Sequence, residues 1–146
     1  MLDETDVKIL ELLQEDARLS SREIGRRLGV SVGTVLGRIS RLEQAGVIKG
    51  YSAILNQERL GYELTVVTEV VVSKGRLVEL EREIASWRNV CCVYDVTGET
   101  DAFVVAKFHG REELSAFTKR LLALPLVERT NTHVVLATVK EDFRLL

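Results

Sequence analysis

The chain has 146 residues, a hydrophobic fraction of 46% and a formal net charge of −2 at pH 7. That apolar content supplies a folded core and excludes a disordered tail. No apolar run approaches the roughly 18 residues that span a bilayer, which argues against a membrane protein, and the acidic opening Met1-Leu2-Asp3-Glu4-Thr5-Asp6 is no secretory signal.

In chain order, Val7, Ile9, Leu10, Leu12 and Leu13 predict a first helix with Asp3 as its N-cap. Its first turn carries Asp3, Glu4 and Asp6, where the helix dipole favours acids, and such a turn is expected away from phosphate. Ser20 and Glu23 fit a capping box opening a second helix, with Ile24 and Leu28 on one face. Gly29 then supplies a left-handed turn, and Ser31 caps a third helix. Within that third helix Val32, Val35, Leu36, Ile39 and Leu42 form an expected core stripe. Thr34, Gly37 and Arg41 fall on the opposite face, flanked by Gly33 and Arg38. This is the layout of a helix-turn-helix whose last helix enters the major groove of double-stranded DNA. Charge agrees: Arg18, Arg22, Arg26, Arg27, Arg38, Arg41 and Lys49 face only Glu23 and Glu43 in the same window, an electrostatic footprint for phosphate.

Gly46 is the expected C-cap, and Val47 to Leu55 reads as extended, either a small wing or a connector. Residues 1–50 are expected to bind DNA, 51–61 to form a connecting strand or linker, and 62–146 to fold separately. Tyr62, Leu64, Val66, Val70 and Val72 alternate with polar residues as in a strand. Lys74-Gly75 turns into a helix bearing Leu77, Leu80, Ile84 and Trp87. Val90–Thr97 and Ala102–Phe108 are strands joined by Gly98-Glu99-Thr100-Asp101. A helix over Glu112–Leu124 stops at Pro125, and a last strand runs Val127–Val139. The order strand, helix, strand, strand, helix, strand is the split βαβ unit. The fold class is therefore α+β: a winged helix-turn-helix followed by a ferredoxin-like βαββαβ domain.

Two helices cover one face of such a sheet. Val67, Val71, Val93, Phe103, Val105, Val134 and Leu136 are expected on one face and Val66, Val70, Val104 and Val135 on the other. An uncovered apolar face asks for a second copy, and a symmetric homodimer would present two recognition helices to a palindromic site. Cys91 and Cys92 are adjacent, which suits neither a disulfide framework nor a zinc site, and they read as structural residues in a reducing cytoplasm.

Three stretches, Leu2–Leu10, Arg38–Tyr51 and Val96–Asp101, resemble the Lrp/AsnC (feast/famine) family of transcriptional regulators. The resemblance covers the whole chain and implies a DNA-binding domain joined to a small-molecule-sensing one. It also implies dimers assembled into tetramers or octamers, with an amino acid as effector and no cofactor or metal. The loop departs from the family's Gly-Asp-Tyr-Asp, since Glu99 and Thr100 replace its first aspartate and its tyrosine. Gly33 and Gly37 stand where the family more often carries polar or charged residues.

The candidate DNA contacts are Arg22, Ser31, Gly33, Thr34, Gly37, Arg38 and Arg41. The candidate effector residues are Gly98, Glu99, Thr100 and Asp101, with Thr130 and Thr132 on the last strand. Turn amides can take a ligand carboxylate, and Asp101 its ammonium. Two other readings compete. An architectural DNA-binding protein of weak sequence preference is suggested by the glycines on the recognition helix. An enzyme resembling sirohaem decarboxylases would want histidines gathered about a tetrapyrrole, and His109 and His133 stand apart in sequence.

Overall fold

The computed structural model describes every residue except Lys74, so the expected turn there lies outside the described residues. The chain divides into two compact units, Met1–Ile54 with Glu141–Leu146, and Leu55–Lys140. The tail expected to belong with the second domain thus groups with the first, where the Leu146 N–H donates to Gln14 Oε1 at 3.2 Å.

The first unit holds α1 (Glu4–Glu15), α2 (Ser21–Leu28) and α3 (Val32–Gln44). Asp3 caps α1 in a complete capping box: its carboxylate accepts the Asp6 N–H at 2.9 Å, and Asp6 accepts the Asp3 N–H at 3.1 Å. At α2 only half of the expected box forms. Ser20 Oγ accepts the Glu23 N–H at 3.1 Å, but the Glu23 carboxylate turns to Arg26 and Arg27 at 2.7 and 2.8 Å. Gly29 adopts the predicted left-handed conformation, φ 68°. Gly25 is needed for a different reason: a Cβ there would lie 2.7 Å from the Val30 carbonyl oxygen, where the turn closes on α2. Ile9, Ile24 and Val35 are fully buried, with Leu12, Leu13, Leu19, Leu28, Val30 and Ile39 packed around them.

Two expected core residues of α3 are not core. Val32 is 40% and Leu36 55% exposed. Val35, Ile39 and Leu42 already fill the inward stripe, and Val32 and Leu36 lie to one side of it, on the solvent flank. No strand forms between 47 and 61 among the described residues. That segment contains a single 3-10 turn, Glu58–Leu60, in place of the connecting strand, and Tyr51 donates its hydroxyl to Glu43 at 2.9 Å.

α1 and α3 are also joined by charge. Asp6 has no exposed surface, and its carboxylate accepts from Arg38 at 2.9 Å and from Arg41 Nη2 at 2.7 and 2.8 Å. Arg38 also reaches Asp3 at 2.6 Å. The acidic first turn of α1 therefore sits against the second half of α3.

The second unit contains β1 (Leu64–Val72), α4 (Leu77–Ala85), β2 (Val90–Asp95), β3 (Ala102–Phe108), α5 (Arg111–Leu122) and β4 (Val127–Val134). The strands form one antiparallel sheet in the order β2-β3-β1-β4, the order of a split βαβ unit. Val66, Val70, Val104, Ala106 and Phe108 face the helices, packing on Leu80, Ile84, Trp87, Phe117 and Leu121. Register corrects part of the face assignment. Val93 pairs with Val104 and Val134 with Val66, so both belong to the helix side. β4 ends at Val134, leaving Leu136 and Val139 outside the sheet and almost wholly exposed. The opposite face, free of this unit's helices, carries Val67, Val71, Phe103 and Val105, all half-buried.

The Arg38 guanidinium and the Asp6 N–H pull the Asp3 pKa from 3.8 to about 2. The Asp3 N–H and then Arg38 lower that of Asp6, against its burial. Both folded-state values lie below the ordinary carboxyl value, so this stabilisation is complete above it and is lost as pH falls toward about 2. The Asp6→Asn variant should melt lower than the parent at pH 7, with the difference shrinking in acid. Ile9→Ala should cost about 2–5 kcal/mol in denaturant titration, with far weaker pH dependence. Equal melting temperatures for Asp6→Asn and the parent at pH 7 would contradict the role given to Asp6.

Candidate DNA interface and ligand pocket

The exposed surface of the N-terminal half of α3 is built from small and apolar groups. Gly33 and Gly37 stand one turn apart, and a Cβ at Gly37 would meet nothing within 4 Å. At Gly33 the nearest atom would be Ser31 Oγ at 3.9 Å. Neither glycine has positive φ, so neither internal packing nor backbone strain requires them, although each weakens the helix by about 1 kcal/mol relative to alanine. Ser31, the N-cap, accepts the Thr34 N–H at 3.1 Å, and the two hydroxyls lie 2.8 Å apart. Four of the expected DNA residues, Ser31, Gly33, Thr34 and Gly37, therefore converge on the exposed N-terminal half of α3.

The expected arginines divide. Arg22 is exposed on α2 and enters no ion pair among the described residues; Arg18 and Lys49 share that state. Arg38 and Arg41 are both committed to ion pairs, Arg38 with Asp3 and Asp6, and Arg41 with Asp6 through Nη2 while its side chain stays 60% exposed. The window from Arg18 to Lys49 hides this, since the neutralising acids come from more than thirty residues upstream. Arg26 and Arg27 are held in turn by Glu23, whose carboxyl they draw down to about 2. Among the described residues, Arg18, Arg22 and Lys49 are the cations of that window outside any ion pair, and the single Glu23 carboxylate leaves one positive charge of Arg26 and Arg27 uncompensated.

A hollow of about 660 Å³ opens on the second unit beside β4. Glu69 and Val71 of β1, Phe103 of β3, and Arg129, Thr130 and Asn131 of β4 line it, together with Thr97, Glu99 and Thr100 of the hairpin loop. Glu69 accepts from Asn131 at 3.2 Å and lies 3.5 Å from His133 Nε2. Arg129 and Glu99 enter no ion pair among the described residues. Three expected effector residues, Glu99, Thr100 and Thr130, are brought together here.

The other three are not. Asp101 is structural: its Oδ2 accepts the Val72 N–H at 2.8 Å, while its backbone N–H donates to Val70 and its carbonyl accepts from Val96. These bonds tie the hairpin to β1 and take the carboxylate away from the hollow. Gly98, at φ 117°, shapes the turn without lining the cavity. Thr132 bonds Thr68, which is fully buried, at 3.2 Å, on the helix side of the sheet. Sequence reasoning misses Arg129, Glu69 and Asn131. Alternation groups each with its own strand-mates, but only the β1–β4 register, Glu69 opposite Asn131 and Val71 opposite Arg129, brings them together.

Comparison with known proteins agrees with both halves of this arrangement. A model of winged helix-turn-helix DNA-binding domains matches residues 2–49, and one of the Lrp/AsnC ligand-binding domain matches residues 65–145. An HTH-type transcriptional regulator of Pyrococcus furiosus is 53% identical over 144 residues, covering 99% of this chain and 97% of the relative. The HTH-type transcriptional regulator FL11 of Pyrococcus horikoshii is 37% identical over 144 residues, covering 99% and 95%. Among solved structures, a transcriptional regulator of Neisseria meningitidis in complex with L-Met superposes with a TM-score of 0.91 at 31% identity, covering 100% and 97%. The chain belongs to the Lrp/AsnC family of transcriptional regulators.

Proposed function

We propose that this regulator binds an operator sequence-specifically and that an amino acid held in the β4 hollow sets its affinity for DNA. The observation that carries the reading is the pair of opposed, uncommitted charges there, Arg129 and Glu99. A free amino acid is a zwitterion: a guanidinium takes its carboxylate through two parallel hydrogen bonds, and a carboxylate takes its ammonium. Val71 and Phe103 add an apolar wall for a side chain. The L-Met complex of the Neisseria relative supports the ligand class.

On the DNA side, Ser31, Gly33, Thr34 and Gly37 face base edges while Arg22 holds phosphate, within a DNA-binding region of residues 1–50. Residues 51–61 connect, and the remainder senses ligand and assembles. A second copy covers the helix-free face around Val67 and Val105, leaving Val71 and Phe103 to the hollow, and such dimers build tetramers or octamers. The protein acts by binding rather than catalysis, in the cytoplasm where the chromosome lies. The tetrapyrrole reading finds no histidine pair to rest on among the described residues, since His109 Nδ1 lies 3.0 Å from Glu113 with its ring on Tyr62, while His133 has a different partner, Glu69. One observation favours the architectural reading instead: the side-chain-poor face of α3 offers few polar groups to discriminate bases.

The two readings separate when full-length protein selects duplexes from a random pool and its affinities are measured at one salt concentration. Sequence-specific binding predicts a preference of at least about a thousandfold for the selected duplex, from a species of at least twice 16.4 kDa by sedimentation. A ratio near one would establish the architectural role, and a single-chain mass would remove the dimer.

Calorimetry against the common amino acids tests the pocket. At least one should bind; Arg129→Ala should abolish its heat, and Asp101→Asn should lower thermal stability while retaining the ligand. Loss of binding in Asp101→Asn with retention in Arg129→Ala would reverse the assignment.

A further inference from the structure

The first six residues of α3, Val32 to Gly37, include no charged side chain, and the most exposed large one among them is Leu36. In a helix-turn-helix this N-terminal half of the recognition helix meets the base edges. Val32 and Leu36 stand one turn apart and form an exposed apolar ridge. Gly33 and Gly37 form a channel directly beside it, open to solvent. Guanine is read in the major groove by the fork of an arginine or by a lysine. The arginines of α3 lie in its second half, and both are bonded to Asp6. The Thr34 hydroxyl is paired with that of Ser31.

We infer that Leu36 is a specificity-determining residue that reads thymine by apolar contact with its 5-methyl group, the glycine channel bringing the helix close enough for that contact. The inference rests on the DNA-binding role proposed above and adds its chemistry. The thymine methyl is the one apolar marker in the major groove, and an exposed leucine gains from burying it while gaining nothing from the polar edge of guanine. An aliphatic side chain reaches such a methyl only if the helix backbone lies deep in the groove. Two adjacent positions without side chains permit that depth, and the fold itself gives no other reason for glycine there. The contacted positions of the operator are therefore A·T pairs.

The test compares the duplex that full-length protein selects from random DNA with the same duplex carrying deoxyuridine for thymidine, one position at a time. A fixed A·T-rich duplex is measured in parallel. The parent protein should lose about fourfold in affinity for each contacted methyl removed, the equivalent of one buried methylene. Leu36→Ala should bind the thymine duplex more weakly and be indifferent to uracil. Gly37→Ala should melt at a higher temperature yet bind less tightly, because its Cβ is free within the protein but obstructs the groove. Indifference of the parent to uracil, or full uracil sensitivity in Leu36→Ala, would overturn the inference. So would a Gly37→Ala variant that binds as well as the parent. If no preferred duplex emerges from the selection, sequence specificity fails, while methyl sensitivity on the fixed duplex still decides the role of Leu36.

Discussion

The arrangement of the DNA-binding unit depends on one buried carboxylate. Asp6 accepts from two arginines of α3 and from the backbone that opens α1, so a single side chain caps one helix and fixes another. A charge without exposed surface is costly unless its lone pairs are satisfied, and here both oxygens are. The energetic consequence is asymmetric. Removing either arginine exposes the remainder of the cluster to the full cost of a poorly paired buried charge, whereas trimming a cation that points only into water costs the fold almost nothing. Arg38 and Arg41 on one side, and Arg22 on the other, are thus different kinds of residue despite identical chemistry.

That division shapes how the protein meets DNA. In the proposed mode, with the α3 arginines paired to acids, base contact falls to Leu36 and the small residues beside it in the N-terminal half of α3, and phosphate attraction to Arg22 and its unpaired neighbours Arg18 and Lys49. The same logic recurs in the second unit. Asp101 secures the hairpin through the Val72 N–H, which leaves Glu99 and Arg129 as the free charges at the hollow. In both units a charged group that looks functional in sequence, Arg41 in the first and Asp101 in the second, is engaged by the fold.

Local signals are legible from the residues alone. The Asp3, Ser20 and Ser31 caps, the left-handed Gly29, and the strand and helix order of the second unit all follow from propensity and periodicity over a few residues. What is not legible depends on distance along the chain. Charge counted in a window cannot find Asp6 opposite Arg41, thirty-five positions away. The face on which Thr132 lies depends on pairing with Thr68 across β1 and β4, and alternation alone leaves that register open. Leu36 misleads for a subtler reason: an apolar residue at helical spacing reads as core, and only the packed stripe of Val35, Ile39 and Leu42 shows that the core is already full.

The central claim is that Asp6 makes Arg38 and Arg41 part of the scaffold and leaves the phosphate backbone to the free cations. The salt dependence of DNA binding tests it most directly, measured together with the melting temperature for Arg22→Ala and Arg41→Ala. Removing one cation that neutralises a phosphate flattens the slope of log affinity against log salt by about one. The account predicts a flatter slope and unchanged melting for Arg22→Ala, and an unchanged slope with lower melting for Arg41→Ala. A slope reduced by about one in Arg41→Ala, with its melting temperature intact, would contradict it.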